Sequence, residues 1–219
     1  MNQIESQLLI IEKKSKAIIN MGNQLFAITP KTEVFDLFLI SVLNRTVNLN
    51  KAFVQLIRDN NFIAAAPFIR INLDTLLRIY ASGISDFDRN TFALKVISGE
   101  KIRKMKIHNS KINMQDVNLV EKISSIKDME WVKDIYETGN SFIHFSDNII
   151  FSSPKKTNHE ERKLEFTIGM HDYFIDEKTK LNSTIWMNKI IDSIVIQAQI
   201  YMLEKCQKYG VDIKSLNNI

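Results

Sequence analysis

Two groups of residues carry side chains and spacings suited to chemistry. The first is Arg70-x3-Asp74-x3-Arg78, at i, i+4 and i+8 of an otherwise apolar stretch, so the three share one helix face with some rotation. An Arg–Asp pair at this spacing satisfies itself. That leaves a second arginine for a phosphate, a carboxylate or backbone carbonyls. The second group is Tyr136-Glu-Thr-Gly-Asn-Ser-Phe-Ile-His144-Phe-Ser146, which sets a histidine between apolar neighbours. A histidine titrates near neutral pH and suits general acid–base work, with Ser146 to orient it or touch substrate. Partly buried charge is costly unless partnered, so the two groups are candidates for one another. The competing reading makes both of them buried polar networks that fix helix packing.

A third group is basic: Lys101, Arg103, Lys104 and Lys106 within six residues. It reads either as a phosphate-contacting surface or as a solvated helix face. The remaining histidines, His108, His159 and His171, lie in polar, loop-like contexts without metal-ligand spacing. No Gly-rich phosphate loop, G-x-S-x-G elbow or paired acidic motif occurs, so no metal or cofactor is expected, and kinase or NTPase chemistry is disfavoured. Cys206 is the only cysteine, which excludes a disulfide framework within one chain and suggests a small buried hydrophobe.

The elements that must position these groups read as helices. The chain has 219 residues, 45% hydrophobic and 25% charged, with net charge +4 and only 6 Gly and 3 Pro. Few turn residues argue for long helices over many short strands. The apolar spacing predicts helices over 3–27, from Val34 to about Arg58 behind a Thr32 cap, and from Phe62 to Ala81. The last is apolar nearly all round and is the candidate central helix, with Pro67 starting its main body or kinking it. A short helix capped by Ser85-Asp86 runs to Ser98. Further helices span Met114–Ser125, with Val117, Val120 and Ile123 on one side, and Met129 to about Asn140. Asn148–Ser152 and Lys163–Ile168 read as two short strands. A final helix capped by Ser183 covers Ile185–Tyr209 and stops at Gly210.

The expectation is a mainly α, single helical-bundle domain over 1–219 with a small β-hairpin insertion near residues 148–168. No basic n-region precedes an apolar stretch at the N-terminus, and no apolar run approaches the ~18 residues of a membrane span. A soluble, cytoplasmic protein is expected.

Arg70-x3-Asp74 on a core helix, followed by Tyr136-x7-His144-x-Ser146, resembles the HEPN superfamily (higher eukaryotes and prokaryotes nucleotide-binding) over about residues 35–150. Members occur among bacterial toxin and phage-defence proteins. The resemblance implies a helical bundle that dimerises and, in active members, cuts RNA without metal. In those members an R-x4–6-H motif supplies a histidine that assists attack by a ribose 2′-OH and an arginine that offsets charge on the phosphate. The chain departs from that motif, because Glu137, Thr138 and Gly139 fill the arginine positions before His144. Arg103-x4-His108 is the one match. The expected catalytic set is therefore His144, Arg70, Arg78, Asp74 as orienter and Ser146, with Arg103 and His108 as an alternative pair. RNA, a second copy or another protein are the expected partners. The rival expectation is a non-catalytic interaction module or small-ligand sensor with a structural Arg/Asp/His cluster.

Overall fold

The computed structural model describes residues 2–143, 154–156, 164–166, 168–169, 171–172 and 175–212. Among these the chain is mainly helical. Helix α1 (Gln3–Ala27) opens with the Asn2 side chain accepting from the Ile4 N–H at 3.1 Å, and buries Ile4, Leu8, Ile11, Ile18, Met21 and Leu25 as one stripe. Helix α2 (Val34–Arg58) follows Pro30. Its N-cap is Glu33, not the expected Thr32, and the reason is tertiary. The Glu33 N–H donates to Asp36 at 2.7 Å, and the fully buried Asp36 carboxylate also takes the Tyr201 hydroxyl at 2.8 Å and Lys205 Nζ at 2.7 Å. A carboxylate pinned from three directions fixes where the helix starts.

Helix α3 (Phe62–Gly83) is capped by Asn61 and continues across Pro67, so the proline neither opens nor ends it. It packs against α2 and against every later helix, with Ile69, Leu73, Leu76 and Leu77 buried. This is the central helix that its all-round apolar character predicts. Helix α4 (Arg89–Ile97) is capped by Asp88, which accepts from the N–H groups of Asn90 and Thr91. The expected cap residues Ser85 and Asp86 are used otherwise: Ser85 closes a turn onto Phe87, and Asp86 holds His108 and Asn109. Gly99, at φ 91°, ends the helix in the left-handed region.

The basic segment is not a helix face. After a 3-10 turn (Ile102–Lys104), Met105 and Ile107 plug into the core while Lys104, Lys106 and His108 point to solvent. Bridges Lys106–Asn113 and Ser85–Ile107 hold this extended run in place. Helix α5 (Asp116–Ser124) buries Leu119, Val120 and Ile123, but Val117 is 48% exposed, against expectation. The inward face is set by Asp116, whose i+3, i+4 and i+7 neighbours are those three residues.

Helix α6 (Trp131–Ile143) continues through Gly139, and helix α7 (Glu177–Tyr209) is capped by Asp176. Ser183, expected as that cap, is buried inside α7. Gly210 ends it at φ 66°. Of the two expected strands, 148–152 lies outside the described residues. The backbone ladder that is described pairs Pro154–Lys156 antiparallel with Leu164–Phe166. One continuous cluster of buried apolar side chains, including Phe35, Phe53, Phe62, Phe92 and Ile194, joins α1 through α7. Among the described residues no helix is long and apolar enough to cross a membrane.

Candidate functional site

Arg70 and Arg78 leave α3 on the face that meets α5 and α6. Arg70 is 8% exposed. Its Nη2 donates to Asp116 Oδ2 at 3.1 Å and its Nε to Asn140 Oδ1 at 3.0 Å. Its guanidinium carbon lies 4.5 Å from the centroid of the Tyr136 ring. Tyr136 and Asn140 are i and i+4 on α6, so one helix face supplies both contacts. Between them Gly139 lets α6 approach: a Cβ there would stand 2.9 Å from Arg70 Cβ.

Arg78 uses a single nitrogen twice. Its Nη2 donates to Asp116 Oδ1 at 2.6 Å and to Asp74 Oδ1 at 2.5 Å. Asp74 Oδ2 then stands 3.8 Å from Arg45 Nη2 on α2, within ion-pair range but beyond a hydrogen bond. Arg45 Nε donates to Thr75 Oγ1 at 3.1 Å. The result is a chain of alternating charge, Arg70–Asp116–Arg78–Asp74–Arg45, linking α5 through α3 to α2. Burial pushes the Asp116 carboxyl up, but hydrogen bonds and charge from Arg78, then Arg70, outweigh it and hold it below the ordinary carboxylate value. Arg78 Nη1 is buried with no hydrogen-bond partner among the described residues.

The expected Arg70–Asp74 pair is therefore replaced. Asp74 binds the arginine on its C-terminal side, the orientation that also agrees with the helix dipole. Arg70 is drawn instead between α5 and α6. Neither arginine is left free, because a carboxylate that the i+4 pattern does not reveal, Asp116, serves both. Its signal in the sequence is a carboxylate on the apolar stripe of a short helix. Asn140 and Arg45 are the other members that spacing alone does not pick out.

The far end of this chain opens into a cleft of about 740 Å³ between α2, α3, α4 and the basic turn. One wall is apolar, from Leu37, Phe38, Val42, Val96, Ile97 and Ile102. The other carries Arg45, Asp74, Thr75 and Arg78, and Lys101 and Arg103 stand at the rim beside Glu100. Glu100 is held by Lys95 at 2.9 Å. Lys101, Arg103, Lys104 and Lys106 are all exposed. Sequence positions 45, 74–78 and 101–103 are thus brought to one place.

Other expected members are not joined to it. His108 is exposed, with Nδ1 3.1 Å from Asp86 and Nε2 3.0 Å from Asn109 Nδ2, and it lines a separate recess with Tyr80 and Lys122. The alternative pair is thereby divided, Arg103 facing the cleft and His108 the recess. His144, Ser146 and His159 lie outside the described residues, α6 being described to Ile143. Among the described residues no group of three or more His, Cys, Asp or Glu is placed to hold a metal ion.

No protein-family model matches the chain, and neither a curated protein nor a solved structure matches it.

Proposed function

We propose that this chain is a helical protein that binds RNA along its basic segment and the lip of the α2–α3–α4 cleft. The observation that supports the reading is the convergence of Lys101 and Arg103 with Arg45 and Arg78 at one cleft, although they come from three separate stretches of sequence. Lys104 and Lys106 extend the same positive edge, held outward because Met105 and Ile107 are anchored in the core. Fixed cations on a rigid edge release counterions from a phosphate backbone, and a neighbouring apolar slot suits a single strand. In this reading His144 is the acid–base residue of an RNA-cleaving, HEPN-like protein, with Arg78 as the arginine of the site, Asp74 as its orienter and Ser146 assisting. It acts as a homodimer or with a partner protein, in a toxin or phage-defence setting. The β-hairpin insertion over 148–168 belongs to the same proposal. Fluorescence anisotropy with labelled single-stranded RNA tests binding: Arg103→Glu should weaken it several-fold. His144→Ala should abolish cleavage and leave binding intact. Unchanged affinity in the first variant, or unchanged cleavage in the second, sinks the corresponding part.

A second reading is favoured by the burial of Arg70 and its engagement by Asp116, Asn140 and Tyr136. Here the network is structural and the protein is an interaction module or small-ligand sensor. Arg70→Ala then lowers the melting temperature by several degrees, since an orphaned buried partner costs ~1–3 kcal/mol, with no RNA bound by either form.

A further inference from the structure

We infer that the α2–α3–α4 cleft receives one unstacked base of a single-stranded RNA while the strand's phosphates lie outside it, on the basic rim. The inference rests on the RNA reading above and deepens it. The cleft separates its chemistry by depth. Its cations without an ion-pair partner among the described residues, Lys101 and Arg103, belong to the exposed turn at the edge, as do Lys104 and Lys106 beyond it. Of its carboxylates, Asp74 sits on the α3 wall with its side chain 27% exposed, while Glu100 stands at the rim and is held by Lys95 at 2.9 Å. A ligand that carried its negative charge inside would face Asp74. A ligand with its charge outside and an uncharged body within would not.

The two walls restrict that body further. One is apolar, led by Leu37, Phe38, Val96 and Ile97, and offers contact to a flat unpolar face. The other offers acceptors. Among the described residues Asp74 Oδ2 has only Arg45 nearby, at 3.8 Å, and the Ser41 hydroxyl, which donates to the Leu37 carbonyl at 2.9 Å, accepts from none of them. An alkyl chain would leave those acceptors without donors, at a desolvation cost. A nucleobase satisfies both walls: its faces are apolar and its edges carry N–H donors. Unstacked bases are the parts of a single strand that proteins bind in this way. The volume, about 740 Å³, admits a base together with its ribose. An acidic peptide, the other polyanion that the rim could attract, would bring carboxylates toward Asp74 and Glu100.

The test separates base from backbone. Two short single-stranded RNAs of equal charge are compared by anisotropy, one complete and one with an abasic ribose at its centre, against wild type and Ser41→Trp. Ser41 is exposed, so the indole fills the cleft from its mouth without entering the core; a thermal melt verifies the fold. Wild type should prefer the complete strand by about tenfold, within the range that one stacked base contributes. Ser41→Trp should lose that preference and still bind the abasic strand as wild type does. If wild type binds both strands equally, or if Ser41→Trp keeps the preference, the cleft does not take a base and the RNA reading survives alone. If wild type binds neither strand, the RNA reading fails and this inference fails with it.

Discussion

Arg70 and Arg78, two turns apart on α3, hold the two oxygens of one carboxylate. Arg70 Nη2 reaches Asp116 Oδ2 at 3.1 Å and Arg78 Nη2 reaches Oδ1 at 2.6 Å. Asp116 is the only acid among the described residues that touches both, so it ties α5 to the central helix and sets the tilt of the charged chain that ends at the cleft. Asp116→Ala leaves two largely buried guanidinium groups short of an acceptor. The expected loss is ~1–3 kcal/mol of stability, seen as a lower urea midpoint with an unchanged slope. An unchanged midpoint would show that α5 is held by Leu119, Val120 and Ile123 alone.

The same carboxylate gives a pH signature. Its folded pKa lies below the ordinary value of 3.8, so the unfolded chain binds its proton first as acid is added. The stabilisation from Asp116 is therefore complete above about pH 5 and is lost as pH falls through 3.8 toward the folded value. Wild type should lose stability faster than Asp116→Asn between about pH 4 and about pH 2, measured by urea midpoints across that range. Parallel curves would contradict the assignment.

Gly139→Ala tests the approach of α6 to α3. The added methyl meets Arg70 Cβ at 2.9 Å, a backbone-proximal atom that cannot swing away. Overpacking of this kind costs ~1–3 kcal/mol, although alanine is the better helix former by about 1 kcal/mol. The net expectation is a lower melting temperature. A rise would mean that the helices separate freely at this point.

Asp36 and Lys205 form a second buried pair, 0% and 2% exposed, with the Tyr201 hydroxyl on the other carboxylate oxygen. Removing one partner strands a buried charge. Lys205→Met alone should cost ~3–5 kcal/mol, whereas Asp36→Leu with Lys205→Met should cost much less. Denaturation of the two single variants and the double variant gives the coupling. Additive losses would show that the pair is not the unit.

Much of the helical frame was legible from apolar spacing, and the misses share a cause. Thr32, Ser85-Asp86 and Ser183 are sound local caps, but packing claims those positions or their neighbours: Asp36 against Lys205 sets the start of α2 at Glu33, Asp86 is taken by His108 and Asn109 while Asp88 caps α4, and Ser183 lies inside the core while Asp176 caps α7. The candidate site was half legible. Arg70, Asp74 and Arg78 announce themselves as charges on an oily helix. Their partners do not, because Asp116 and Asn140 are ordinary polar residues in sequence, and only the packing of α5 and α6 on α3 brings them together. Nor does spacing place Arg103 beside Arg78 at one cleft.

The salt dependence of RNA binding tests the central claim most directly. With labelled single-stranded RNA, the logarithm of the binding constant should fall linearly with the logarithm of salt concentration. Changing Lys101, Arg103, Lys104 and Lys106 together to Ala should flatten the slope by up to ~0.7 for each phosphate that is no longer neutralised. It should also weaken binding at least about tenfold at low salt, with the melting temperature unchanged. If the variant binds with the affinity and slope of wild type, or if wild type does not bind RNA at low salt, the claim that this basic edge is an RNA surface is contradicted.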